Sequence, residues 1–243
     1  MSNKEQEWFK DWFDTKYYHI LYQDRNDDEA QVFMKYLTSF LQLKKHSKIL
    51  DLPCGRGRHS VFLNQLGYDV IGADLSGNSI AFAKQFENES LHFEVHDMRD
   101  PFETKFDAIF NLFTSFGYFD DDQTNVQVLQ NLKNGLNKGG VLVIDFMNVN
   151  HVKNFIVTKE TISRNNIDFN IKRKVENNTI IKEIRFFADS REHYYTENIK
   201  FLPLDTLKSY FNAVGLKLKY TFGSYLLEDF DIESSSRLIL ILE

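Results

Sequence analysis

The sequence predicts an α/β fold built on a mostly parallel sheet, on three observations. Short apolar runs between Lys48 and Phe146 alternate with segments of helical periodicity. Residues 49–60, I-L-D-L-P-C-G-R-G-R-H-S, pass from an apolar run through a glycine turn towards a helix. The run V-L-V-I-D-F at 141–146 is apolar enough to be buried on both faces, as an interior parallel strand is. Such βαβ units are right-handed and bind ligands at the carboxyl ends of their strands.

Taken in order, the chain opens with helices. Trp8, Phe9, Trp12, Phe13, Tyr17, Tyr18, Ile20, Leu21 and Tyr22 recur at helix spacing until Asp24 breaks the pattern. Ala30, Phe33, Leu37, Phe40 and Leu41 form the apolar face of a second helix. The first strand covers 48–52, and a helix over 57–66 stops at Gly67. A strand over 68–74 ends in Asp74, and Ser76 caps a helix running to about Glu87. Strands follow at 91–95 and 106–110, then a helix over 121–136, a Lys138-Gly139-Gly140 turn and the fifth strand.

Beyond Asn150 the period changes to two. Strands carry Phe169 to Val175, then Ile180 to Phe186, then His193 to Phe201, with Asn177-Asn178 and Asp189-Ser190 between them. This is an antiparallel meander with one polar face. Leu204, Leu207, Phe211 and Val214 mark a helix closed by Gly215. Residues 216–222 and 238–242 pair as an antiparallel hairpin at one sheet edge.

The bulk numbers suit one domain with an insertion: 243 residues, 42% hydrophobic and 15% aromatic. A net charge of −6 argues against a chain that wraps nucleic acid. The single cysteine allows no internal disulfide and no cysteine-based metal cluster, so no metal is expected. The polar start M-S-N-K-E-Q-E-W is unlike a signal peptide, and no apolar run approaches a membrane span. A soluble cytoplasmic protein without membrane contact is the expectation.

The chemistry is read from the strand ends. Gly55 and Gly57 let backbone N–H groups approach a ligand at the mouth of a helix. The spacing is nearly the dinucleotide fingerprint, with Ser60 where a third glycine would stand. Asp51, inside the strand, gives a pyrophosphate site little but suits a ligand with a positive group nearby. Asp74 lies about 20 residues on, where a carboxylate accepts from ribose hydroxyls. By itself Asp74 is equally a solvated strand-end acid; paired with the glycine turn, the ribose role is favoured. Asp97 can accept from an adenine amino group, with Met98 covering the ring; taken alone, the pair is equally an ordinary turn. A nicotinamide dehydrogenase is the rival, but it would carry the third glycine and has no need of Asp51 together with Asp97.

Five segments in order resemble the motifs of class I S-adenosylmethionine-dependent methyltransferases. They are 50–60, 70–76, 96–99, 111–119 and 136–140, and the fourth resembles a small-molecule subgroup. The resemblance is strong from Lys48 to Asn148. It implies a Rossmann-like seven-stranded mixed sheet, six strands parallel and one antiparallel, with N-terminal helices and an antiparallel β insertion after strand five. It divides the chain into a helical lid at 1–46, a cofactor-binding core at 47–149 and 203–243, and the insertion at 150–202. The implied cofactor is S-adenosyl-L-methionine. Asp51, Cys54, Gly55 and Gly57 would line its methionine and ribose side, and Asp74 would take the ribose hydroxyls. Leu75 would lie beside the adenine, Asp97 and Met98 would hold it, and Asn111 and Leu112 would lie under the sulfonium. Arg58 would meet the methionine carboxylate or pair with a surface acid. Tyr22 joins the cofactor-binding set from the lid.

The segment after strand four narrows the acceptor. Residues 111–114 read N-L-F-T, without the proline pair with which amino-methyltransferases of nucleic acids stack a flipped base. Cys54 is misplaced for a cytosine-C5 nucleophile. A small molecule methylated at N or O is favoured, with an RNA or protein methyltransferase and a cofactor-binding regulatory or partner-dependent subunit as alternatives. Candidates for a base are Tyr17, Tyr18, His19, Tyr22 and His59, with Tyr18, Tyr22 and His59 carried forward; for each the plain reading is packing or capping. The insertion offers an acceptor-pocket wall, with His193, Tyr194 and Tyr195 as its reactive members, or a homodimer surface. Arg25 and the Lys172-Arg173-Lys174 run are candidates for an anionic acceptor, or ordinary surface charge.

Overall fold

A computed structural model of the chain describes residues 7–24 and 27–243. Three helices come first: α1 (Trp8–Phe13), α2 (Lys16–Leu21) and α3 (Asp27–Phe40). The core then alternates β1 (Lys48–Asp51), α4 (Arg58–Gln65), β2 (Asp69–Asp74), α5 (Gly77–Ala83), β3 (Leu91–Val95), β4 (Phe106–Asn111), α6 (Asp122–Asn134) and β5 (Leu136–Met147). After a short α7 (Val149–Phe155) come β6 (Lys159–Arg164), β7 (Ile167–Glu176), β8 (Thr179–Ala188) and β9 (Arg191–Lys200). Helix α8 (Leu204–Val214) leads to β10 (Leu218–Phe222) and β11 (Arg237–Leu242).

The main sheet has seven strands in the order β10-β11-β5-β4-β1-β2-β3. Strands β1 to β5 pair in parallel. Only β11 runs the other way, antiparallel to both β5 and β10. This is the expected mixed sheet. Strand order reverses between β1 and β4, so ligands belong at the carboxyl ends of that central pair.

Each sheet face buries one layer of helix. On one side Val128, Leu129 and Leu132 of α6 and Leu207 and Phe211 of α8 pack over Leu142 and Ile144. On the other, Phe33, Met34 and Leu37 of α3 and Leu63 of α4 cover Ile49, Val70 and Phe110. Helix α3 thus belongs to the core layers, although the division at residue 46 grouped it with the lid.

The insertion is a four-stranded antiparallel sheet, β6-β7-β8-β9, one strand more than the period predicted. Its hairpins turn at Asn165-Asn166, Asn177-Asn178 and Asp189-Ser190, and both residues of every pair have positive φ. Such turns match the right-handed twist of the strands. The first pair carried the same Asn-Asn signal as the second and marks the missed strand β6. The inner face, Phe169, Ile171, Ile184 and Phe186, is covered by Trp12, Tyr17 and Leu21 of α1 and α2. Lid and insertion therefore share one small core.

Two boundaries differ from the sequence reading. The aromatic stripe of 8–22 is two helices, because Thr15 Oγ1 accepts the Tyr18 N–H at 3.1 Å and starts a new helix. Lys138-Gly139-Gly140 lies inside β5 as an irregularity in its pairing with β4, not as a turn before it. Among the described residues no helix is long and apolar enough to cross a membrane.

Candidate functional site

A cavity of about 860 Å³ opens at the carboxyl ends of β1, β2, β3 and β4. Its floor begins with the glycine turn. Cys54 N–H donates to the Ala73 carbonyl at 2.8 Å, tying the turn to β2. Gly57 has φ +83°, and a Cβ there would lie 2.6 Å from the Phe93 ring, so only glycine lets α4 start this close to β3. Gly55 has φ +55° and an added Cβ would meet nothing within 4 Å. Its backbone is open on that side, as close approach of a ligand requires.

Asp51 lies beneath this turn and is 1% exposed. Ser60 Oγ donates to its Oδ2 at 2.6 Å, while Oδ1 is buried without a partner. Burial pushes the carboxyl up to about 7 against the Ser60 bond, and the Asp74 charge pushes the same way. The residue in the third-glycine position is therefore the anchor of Asp51. Gly72 opposite leaves room for it, since a Cβ there would stand 2.8 Å from Ser60 Oγ.

Asp74 lines the cavity at the end of β2. Its Oδ2 accepts the Gly55 N–H at 2.8 Å and its Oδ1 the Ser76 N–H at 2.8 Å. Burial raises its pKa, and the two backbone bonds oppose the rise. Each oxygen keeps a lone pair for a further donor. Ser76 caps α5 and also donates to Asp14 of the lid at 2.5 Å; Asn78 holds the same carboxylate through its N–H at 3.0 Å and Nδ2 at 2.9 Å. Asp97 sits after β3, clasped by Arg99 through Nε at 3.0 Å and Nη2 at 2.5 Å. Burial works against its charge, but the Arg99 fork outweighs it and holds the carboxyl below its ordinary value. Arg99 Nη1 reaches Glu7 at 2.5 Å, a second tie to the lid.

Tyr18, Tyr22, Cys54, Gly55, Arg58, His59, Asp74, Leu75, Asp97, Met98 and Leu112 all line the cavity. Asp51, Gly57 and Asn111 lie behind its surface. Asn111 is fully buried, gives Nδ2 to the Leu52 carbonyl at 2.9 Å and leaves Oδ1 without a partner. His59 is buried and stacked on Phe113 at 4.8 Å. Arg25 lies outside the described residues.

The insertion contributes other residues than those singled out. His193 is buried against Phe186 in the core shared with the lid, and Tyr195 packs on Trp12 at 4.7 Å. Tyr194 is exposed. The next two residues of the same face, Glu197 and Ile199, reach the cavity. Glu197 Oε1 accepts from Tyr22 Oη at 2.6 Å and Trp12 Nε1 at 2.8 Å, and Lys182 Nζ stands 3.5 Å from Oε2. Lys182 also contacts the Tyr22 hydroxyl. Burial lowers the Lys182 pKa, against the pull of Glu197. A carboxylate on an otherwise apolar strand face was the signal that marked Glu197. Trp8, Phe13, Tyr118 and Phe119 complete an aromatic roof. Lys172 and Lys174 point outward from β7, and Arg173 pairs with Glu160.

These features fit S-adenosylmethionine. Asp74 offers acceptors to ribose hydroxyls, and Asp97, clasped by Arg99, places negative charge where an adenine amino group would come. The open side of Gly55 and the buried carboxyl of Asp51 suit a ligand that carries positive charge.

Sheet order, glycine turn and strand-end acids together define a class I S-adenosylmethionine-dependent methyltransferase. Residues 43–200 match the family model described as a methyltransferase domain, and the chain belongs to that family. A glycine/sarcosine N-methyltransferase of Halorhodospira halochloris is 32% identical over 117 residues, 44% of this chain and 43% of that protein. The chain spans less than half the length of the first curated relatives it matches. An S-adenosylmethionine-dependent methyltransferase structure from Clostridium acetobutylicum superposes with a TM-score of 0.79 at 16% identity, covering 93% of this chain and 95% of that one. The S-adenosylmethionine-bound amino pentose methyltransferase CalS10 of Micromonospora echinaspora gives 0.69 at 18% identity, covering 94% and 96%. At these identities the structural likeness is one of fold.

Proposed function

We propose that the chain transfers the methyl group of S-adenosylmethionine to a nitrogen or oxygen of a small molecule. One observation carries the acceptor class. The cavity runs from the strand-end acids to Glu197 and Ile199 under an aromatic roof, and its volume of about 860 Å³ is that of a small-molecule cleft. A polymer would need an open groove with a basic rim.

The lid, α1 and α2, closes the site from above, and the insertion is its far wall. Glu197 and Ile199 at the end of its inner face give the insertion a place in the acceptor pocket. Bound S-adenosylmethionine supplies a methyl group already activated by its sulfonium. The protein's share is to align the acceptor and exclude water, which is mostly proximity and orientation. Where the acceptor arrives protonated, the proposed base is Tyr22 Oη, which donates to Glu197 Oε1 and is contacted by Lys182, and which would receive a proton while passing its own to Glu197. Tyr18 lies beside it, with ring centroids 4.9 Å apart. His59, packed flat on Phe113, is a weaker choice.

The test is S-adenosylhomocysteine formation with separate panels of small amines, small alcohols and phenols, RNA and protein. Turnover confined to the small-molecule panels supports the reading. Turnover only with RNA or protein overturns the acceptor class. Cofactor binding without turnover in any panel favours a regulatory subunit.

A further inference from the structure

The inner face of the insertion carries a row of charge between two apolar rows. Ile171 and Ile184 lie on one side of it, Ile180 and Ile199 on the other. In the row, strand pairing sets Arg173 opposite Lys182 and Lys182 opposite Glu197. Arg173 is answered by Glu160 of β6. Lys182 and Glu197 are left to each other, and each side chain is only 12% exposed. Burying two charges is costly unless their geometry is close.

This pair does not close. Lys182 Nζ stands 3.5 Å from Glu197 Oε2 and turns to Tyr22 instead, touching its hydroxyl and lying 4.6 Å from the ring centroid. Glu197 Oε1 takes two donors, Tyr22 Oη at 2.6 Å and Trp12 Nε1 at 2.8 Å. Oε2 has the one long contact to Lys182 among the described residues, and it keeps lone pairs for a further donor. Glu197 lines the cavity.

The wall beside it is aromatic. Ring centroids are 4.9 Å apart for Tyr22 and Tyr18, 4.9 Å for Tyr18 and Phe13, and 5.3 Å for Phe13 and Trp8, and all four rings line the cavity. A carboxylate next to aromatic rings selects by charge. An ammonium makes a charge-assisted hydrogen bond and is drawn to the rings. A hydroxyl makes an ordinary hydrogen bond, and an anion is repelled.

We propose that the acceptor is an amine, held as its ammonium by Glu197 Oε2 beside these rings, with Glu197 as the residue that sets this specificity. The inference rests on the methyl-transfer reading above and narrows its acceptor from nitrogen or oxygen to nitrogen. In the step, the ammonium gives one proton to Tyr22 Oη as Tyr22 passes its own to Glu197 Oε1. The lone pair freed on nitrogen bonds to the methyl carbon while the carbon–sulfur bond breaks and leaves its electron pair on sulfur. The products are the methylated ammonium, a neutral thioether and one proton, which Glu197 returns to solvent.

The test uses three probes of similar shape, benzylamine, benzyl alcohol and benzoate, titrated in a calorimeter into protein saturated with S-adenosylhomocysteine. At neutral pH benzylamine is a cation. It should bind about tenfold tighter than benzyl alcohol, the difference between a hydrogen bond to a charged group and a neutral one. Benzoate should bind most weakly. Glu197→Gln keeps an oxygen for Tyr22 and Trp12, and it should bring amine and alcohol to within about twofold of each other because both then make ordinary hydrogen bonds. S-adenosylhomocysteine affinity should not change with it. If the variant does not fold, the wild-type ranking of the probes and the turnover panels decide. Benzyl alcohol or benzoate binding as tightly as benzylamine, no binding of any probe at millimolar concentration, a preference that survives Glu197→Gln, or turnover confined to alcohols and phenols would overturn the amine and leave methyl transfer standing. Wild-type protein that does not bind S-adenosylhomocysteine would overturn the methyl-transfer reading, and with it this one.

Discussion

Asp51 is a buried carboxyl with one oxygen on Ser60 and the other without a partner, and its pKa stands near 7 instead of 3.8. The folded chain therefore keeps a proton there that the unfolded chain releases. Its stability contribution is present below about pH 4 and is lost as pH rises to about 7. Other carboxylates titrate in the same range, so the informative quantity is the difference from Asp51→Asn. Wild-type melting temperature should fall relative to the variant between pH 4 and 7, and parallel profiles would refute the shift. The same proton links to the cofactor. A ligand carrying positive charge favours the ionised carboxylate. Binding near neutral pH should release a proton, visible as a dependence of binding enthalpy on buffer ionisation, which Asp51→Asn abolishes. Asp74→Asn exchanges one acceptor oxygen for a donor at the position proposed for the ribose. S-adenosylhomocysteine affinity should drop by about 1–3 kcal/mol. Unchanged affinity would remove Asp74 from the site.

At the scale of elements, what local pattern specifies was legible and what tertiary contact specifies was not. The strands of the main sheet announced themselves by apolar runs or, as in β10, by alternation, and Ser76 and Gly215 by their capping chemistry. Asp74 and Asp97 were legible as candidates because they end or follow strands, and both line the cavity. The break at Thr15 was hidden by an aromatic stripe that continues in register across it. Glu197 carried one local signal, a carboxylate on an apolar strand face, but its role depends on Tyr22, 175 residues away in the chain. The Asp145–Arg237 pair spans 92 residues and leaves no local trace. Lid and insertion share one core, so they should loosen together. Phe169→Ala removes a fully buried ring beneath α1 and α2 and should cost about 3–5 kcal/mol of local packing. Hydrogen exchange should then quicken in residues 8–22 while β1 and β4 stay protected. Uniform quickening across the main sheet would show that this core is no separate unit.

For the whole molecule, the layout is a seven-stranded sheet with its cavity at the strand-order reversal, closed by a lid tied down at several points. Glu7 holds Arg99, Asp14 holds Ser76 and Asn78, and Tyr22 holds Glu197. Two of these ties end on groups beside Asp74 and Asp97, so filling the cavity and seating the lid should be coupled. Proteolysis within residues 8–24 should slow when S-adenosylhomocysteine is added, and cleavage at an unchanged rate would deny that coupling. The central claim, that the strand-end acids and glycine turn form an S-adenosylmethionine site, is tested most directly by titrating the protein with S-adenosylhomocysteine in a calorimeter. The account predicts saturable binding, one ligand per chain, weakened in Asp74→Asn. No heat and no saturation at millimolar ligand, from protein whose melting is cooperative, would contradict it.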